Sequence, residues 1–201
     1  MKKLIASIVF CFLGLTQMNA QVTFRPGIRG GLNFSHFTKG DNYYYYDNNG
    51  HYVNDERDFN SKTDFYVSFY GELKLSKVYT LQPEIGYSAQ GSDFDYIDGN
   101  GHHRTETYDI SYLSLGVANK FTFGKFNFHV GPTMDFVVSD NFKPDSDVDM
   151  AFFLGAGYNF TKNFGIEARI KKGIIPVVDF YEDNRTNVVF QTGVTYTFDV
   201  K

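Results

Sequence analysis

The chain has no tryptophan, a single cysteine and only five prolines among 201 residues. Cys11 falls within the first twenty residues, so the chain beyond it has no thiol for a disulfide or a metal-thiolate site. Long apolar runs are also missing. Past residue 20 no stretch approaches the ~20 consecutive apolar residues of a membrane-crossing helix. Positive charge is in deficit: 19 Lys+Arg face 23 Asp+Glu, and setting aside Lys2 and Lys3 leaves 17 against 23, or −6. That balance argues against a nucleic-acid partner. Also absent are a Ser-His-Asp spacing, an H-E-x-x-H helix, a glycine-rich phosphate loop, a heptad pattern and a domain linker. What remains is rich in β-formers, with 22 Phe and 15 Tyr alongside 19 Gly. Length suggests one domain.

The N-terminus reads as a removable leader. Met1-Lys2-Lys3 is basic, Leu4 to Leu15 is an apolar core, and Met18-Asn19-Ala20 places a small residue before a cut at Gln21. Phe10 precedes Cys11, which does not fit a lipoprotein cleavage site. Residues 1–20 are therefore expected to be a signal peptide and 21–201 the exported domain.

Period-two patterning dominates that domain. From Phe65 to Leu75, Phe65, Val67, Phe69, Gly71, Leu73 and Leu75 share one face while Tyr66, Ser68, Tyr70, Glu72 and Lys74 share the other, the signature of a strand. Eight segments behave this way, near Phe24–Phe37, Phe65–Leu75, Val78–Gly91, Thr107–Phe121, Phe126–Phe136, Val148–Phe160, Phe164–Lys171 and Asn187–Phe198. Their apolar faces are too extensive for one small core. They predict an all-β fold, an eight-stranded antiparallel transmembrane β-barrel with its apolar side toward lipid. A soluble, lipocalin-like carrier with the apolar face inward is the alternative architecture.

Connections alternate long and short: residues 38–62, 92–106, 139–147 and 172–186 are long, while 76–77, 122–125 and 161–163 are short. Short turns belong on the periplasmic side and long loops outside, and an even strand number returns both termini to the periplasm. Tyr79, Phe121, Phe123, Phe126, Phe160, Phe164, Tyr196 and Phe198 flank the short turns, as an interfacial aromatic belt would. Pro83 lacks a ladder donor and predicts a bulge or irregular pairing nearby.

An eight-stranded barrel is just wide enough for side chains to fill, whereas general porins need about 16 strands. The inward set Arg29, Glu72, Lys74, Glu84, Lys120, Asp135, Glu167 and Arg169 carries both signs and is expected to pair across the lumen. A narrow ion path is the functional alternative. His129 and Asp135 face inward on one strand but lie six residues apart, roughly 20 Å along it, too far for a dyad. His102-His103 lies near Asp93, Asp95, Asp98 and Glu106; adjacent histidines in a polar loop read as solvated, and no metal site or cofactor is expected. No catalytic residue stands out, leaving a small lipid-modifying enzyme as the rival function.

Gly30-Gly31-Leu32-Asn33-Phe34-Ser35, Leu81-Gln82-Pro83-Glu84-Ile85-Gly86-Tyr87, Ser111-Tyr112-Leu113-Ser114-Leu115, Leu154-Gly155-Ala156-Gly157-Tyr158 and Tyr196-Thr197-Phe198 together resemble the outer-membrane β-barrel domain family, often labelled porin family protein. Gly116 stands where that family commonly has a proline, and Asp199-Val200-Lys201 extends past the terminal aromatic. The resemblance implies the Gram-negative outer membrane and recognition of Tyr196 and Phe198 by the barrel-assembly machinery, and it carries no catalytic residues.

Function is therefore sought in the loops. Tyr43, Tyr44, Tyr45 and Tyr46, with Tyr52 beyond Asp47-Asn48-Asn49-Gly50, mix aromatic surface with acids and amides, a composition suited to an extracellular protein or glycan. Acidic residues in all four loops suit divalent ions shared with outer-membrane lipid and lipopolysaccharide. A monomer acting in surface binding, adhesion or envelope integrity is expected.

Overall fold

The computed structural model describes residues 23–38, 43–46, 52–55, 58–97, 102–180 and 183–200. The expected leader and its expected cut at Gln21 lie outside the described residues. In chain order the strands are β1 (Thr23–Phe37), β2 (Tyr43–Tyr46), β3 (Tyr52–Asp55), β4 (Asp58–Lys74), β5 (Tyr79–Ile97), β6 (His103–Phe123), β7 (Phe126–Asp140), β8 (Val148–Asn159), β9 (Phe164–Gly173), β10 (Val178–Phe180), β11 (Asp183–Arg185) and β12 (Asn187–Thr197). Eight of them close an antiparallel barrel in the order β1-β12-β9-β8-β7-β6-β5-β4. β2–β3 and β10–β11 form separate two-stranded hairpins.

Closure comes from β1, whose register runs from Gly27↔Thr197 to Phe37↔Asn187 against β12 and from Thr23↔Lys74 to Ser35↔Lys62 against β4. With the ring closed, no barrel strand keeps a bare edge in lipid. The turns follow local chemistry. Gly124 takes φ 62°, which the tight β6–β7 hairpin requires and which glycine adopts without a steric penalty. Ser76 Oγ accepts from Tyr79 N at 2.9 Å and Thr161 Oγ1 from Phe164 N at 2.9 Å, fixing the other two short turns.

Burial is inverted relative to a soluble domain. Leu154 is 65% exposed, Phe69 64% and Ile170 57%, while Arg169 is 2% and Asp135 1% exposed. Apolar side chains face out and charges face in, as lipid demands, and the inward-apolar carrier is ruled out. The outward faces expected on the eight segments are the ones observed. At the short-turn end Tyr79 packs on Phe121 at 5.3 Å, Phe126 on Tyr158 at 4.9 Å, Phe160 on Phe164 at 5.8 Å and Tyr196 on Phe198 at 5.1 Å, forming the interfacial belt.

Two expectations need correction and a third is narrowed. Residues 92–106 are mostly strand, because β5 and β6 stay paired from Tyr79↔Phe121 to Ile97↔His103. β4 likewise starts at Asp58 and pairs Asp58↔Asp95. At Pro83 the pairing is irregular, as expected, but there is no bulge: the β4–β5 ladder passes over Gly71-Glu72 opposite Gln82-Pro83 and resumes in phase, and the register shift lies between Ser61 and Tyr66. Proline removes one donor without forcing an extra residue into the strand.

Candidate functional site: the barrel lumen and its two mouths

Alternation on β1, β5 and β9 brings Arg29, Glu84, Glu167 and Arg169 to one level inside the barrel. Arg169 donates Nη1 and Nη2 to the two Glu84 oxygens at 2.8 and 2.9 Å, a bidentate pair. Arg29 reaches Glu167 at 2.7 Å and Glu84 at 3.1 Å, and Arg169 lies 3.3 Å from Glu167. Two cations and two anions thus neutralise one another where no side chain is more than 8% exposed. Arg29 stacks over Tyr66 at 5.0 Å and Arg169 over Phe153 at 4.7 Å, so aromatic faces cover the guanidinium planes. Glycine makes room for the layer: a Cβ at Gly155 would collide with His129 Nε2 and the Ala168 carbonyl.

The remaining members of the expected lumen set occupy other levels. Asp135 pairs with Lys171 at 2.6 Å nearer the extracellular end, beside buried Asp149. Lys120 pairs with Glu72 at 2.8 Å at the periplasmic end. Lys74 joins neither pair and is exposed at the periplasmic mouth, because its position on β4 is the last before the turn. Between the charged levels lies a layer of amides and hydroxyls. Asn33 donates to Ser88 Oγ at 3.0 Å and the Ala89 carbonyl at 2.6 Å, and accepts from Gln191 at 2.8 Å. His129 faces this interior with Nδ1 3.2 Å from Asn127 Oδ1, away from lipid and from Asp135.

Above the polar layers, Phe37, Phe59, Phe94, Ile110, Tyr112 and Val177 form a buried cluster, with Tyr108, Val137 and Phe142 packed against it. The rings meet at 5.2 Å for Phe59–Phe94 and for Tyr108–Phe142, and Arg185 lies over Phe59 at 4.9 Å. This apolar plug at the extracellular end was not anticipated. Its signal is in the sequence: Phe94 keeps the inward phase of Ser88, Gln90 and Ser92, and Tyr108, Ile110 and Tyr112 are inward on β6, but Phe94 lies in the polar stretch 92–106 that reads as a loop.

Outside the bilayer, Lys62 bridges Asp109 at 2.7 Å and also binds Asp64. Burial alone would lower its pKa, yet the two carboxylates raise it above the ordinary lysine value. Tyr43–Tyr46 and Tyr52 lie on the β2–β3 hairpin, paired Tyr43↔Asp55 to Tyr46↔Tyr52, with their side chains outside the described atoms. His102 and His103 are exposed at the start of β6. Asp98 lies outside the described residues. Among the described residues no three His, Cys, Asp or Glu side chains gather as a metal site would require. At the C-terminus Phe198 N donates to the Pro26 carbonyl at 2.8 Å, and exposed Asp199 reaches Arg25 at 3.1 Å and Lys162 at 3.2 Å.

Among solved structures the chain is similar to Neisserial surface protein A, at 12% identity over 86% of this chain and 97% of the other, with a TM-score of 0.52. It is also similar to the attachment invasion locus protein of Yersinia pestis, at 13% identity over 87% and 98% of the two chains, with a TM-score of 0.48. The outer membrane protein OprG from Pseudomonas aeruginosa aligns at 13% identity over 89% and 98%, with a TM-score of 0.45. At such identities the likeness concerns fold and not activity. No curated protein matches the sequence. A family model described as outer membrane protein beta-barrel domain matches residues 17–179, and the closed eight-stranded ring with its lipid-facing apolar wall agrees. The chain belongs to the outer membrane protein β-barrel domain family.

Proposed function

We propose that this protein is a non-enzymatic outer-membrane barrel that acts from its extracellular face, holding an extracellular protein or glycan on the cell surface. The observation that carries this reading is the length of the wall formed by β4, β5 and β6. β5 has 19 residues and β6 21, against the ~9–11 needed to cross a bilayer. The surplus raises a paired sheet roughly 20 Å above the hydrocarbon at ~3.3 Å per residue with the usual tilt. A sheet of that height is a rigid platform for recognition, and the β2–β3 hairpin lies between β1 and this wall in the chain.

The interior favours the same reading. A charge layer, an amide layer and an apolar plug occupy successive levels of the lumen, leaving transport as a poor use of the barrel. The test is binding of intact cells that display the protein to arrays of glycans and extracellular-matrix proteins. Deleting residues 41–56 should abolish the specific signal while heat-modifiable, protease-resistant barrel persists in the outer membrane. Binding that survives both this deletion and truncation of the β5–β6 tip would overturn the proposal.

A further inference from the structure

We propose that the periplasmic mouth of the barrel is a binding site for a small phosphate-type oxyanion. A cavity of about 130 Å³ opens there, lined by Arg25, Lys74, Lys77, Lys120 and Lys162. Among the described residues the only carboxylate in its lining is Glu72, so the described lining carries four net positive charges, in a domain whose mature sequence carries six net negative ones. Asp199 at the rim offsets one more through Arg25 and Lys162.

The carboxylates are already engaged. Glu72 is held by Lys120 at 2.8 Å and faces Arg25 at 3.9 Å, while Asp199 bridges Arg25 and Lys162. Among the described residues no carboxylate lies within ion-pair reach of Lys74 or Lys77. The rest of the lining suits oxygen acceptors: Thr80, Thr122, Thr161 and Thr195 offer hydroxyl donors and Asn159 an amide, while Asn163 is engaged with the Thr197 carbonyl at 2.8 Å and the Thr197 hydroxyl with Tyr70 at 2.8 Å. At ~30 Å³ per water the space holds about four waters, or one phosphate-sized anion with part of its hydration. Low-dielectric barrel walls around a cluster of one sign focus the potential on that space.

The same chemistry is presented by a soluble phosphorylated compound in the periplasm and by the headgroup of an inner-leaflet phospholipid. The experiment is titration of the refolded full-length mature protein with inorganic pyrophosphate at low ionic strength, followed by ³¹P NMR. Lys74→Gln and Lys77→Gln should each weaken binding about fivefold, the worth of one charge at about 4 Å in water, and together about 25-fold. Lys125→Gln, on the neighbouring β6–β7 turn but outside the cavity, should leave affinity unchanged, and gel heat-modifiability confirms that each variant is folded. Equal affinity in the parent and the Lys74→Gln, Lys77→Gln double variant overturns the site, as does an equally large loss in Lys125→Gln. Repeating the titration in zwitterionic and in anionic lipid nanodiscs assigns the source. Competition by the anionic lipid supports the site with a headgroup as its ligand, and unchanged affinity supports it with a soluble anion.

Discussion

Arg169 is where the lumen is most sensitive to a single change. Its guanidinium meets both oxygens of Glu84 at 2.8 and 2.9 Å and lies 3.3 Å from Glu167. With Arg169→Met, Glu84 and Glu167 would share only Arg29, at 3.1 and 2.7 Å, and the layer would hold one uncompensated negative charge. At 2–8% exposure for these four side chains water can offset little of that cost, so breaking the pair should lose about 3–5 kcal/mol. Adding Glu84→Gln restores neutrality, since Arg29 and Glu167 then pair alone, and should recover most of the loss. The assay is reversible urea unfolding in lipid vesicles followed by far-ultraviolet circular dichroism, because the chain has no tryptophan to report. If Arg169→Met lies within about 1 kcal/mol of the parent, the pair behaves as a solvated surface bridge and the packed-lumen reasoning fails. A double variant as unstable as the single one would refute the charge-balance argument equally.

The lipid face should respond to the opposite chemistry. Val130, 43% exposed as the fifth residue of β7, should lose about 2–4 kcal/mol as Val130→Arg, whereas Thr133→Asn, directed into the lumen, should assemble; folding yield into vesicles distinguishes them. Phe198→Asp removes a ring packed at 5.1 Å on Tyr196 and should reduce protease-shaved loop exposure on intact cells. Deletion of residues 199–201 should leave exposure near the parental level, because Asp199 pairs only at the exposed rim. In the apolar plug, Phe37→Ala should cost about 3–5 kcal/mol, and it should admit water-soluble thiol reagents to a cysteine placed at Ser35, which the parent plug shields.

The barrel wall was legible because lipid on one side and packed charge on the other enforce strict alternation, so each inward residue of β7 from Asn127 to Asp135 could be read in phase. Pairing across the lumen was less so. Arg29 and Arg169 meet Glu84 from strands far apart in sequence, and which charges share a level depends on strand stagger, which composition does not encode. Lys171 and Asp149 went unselected for that reason, and Lys74 was grouped with the lumen although β4 ends at it. The extracellular continuation of β5 and β6 was missed because Asp93, Asp95 and Glu106 look like loop. Thr107 and Thr105 cap the first two across the ladder at 2.8 and 2.6 Å, so acids tolerated in a solvent-exposed sheet imitate a turn. Of the two forms expected at Pro83, irregular pairing is present and a bulge is not, because a missing donor leaves a ladder gap without an extra residue.

Planar-bilayer recording of the purified monomer tests the sealed lumen most directly. With the Arg29–Glu84–Glu167–Arg169 layer and the Phe37 cluster both in place, at most small, intermittent conductance is expected. A steady conductance comparable to that of a general porin would contradict it.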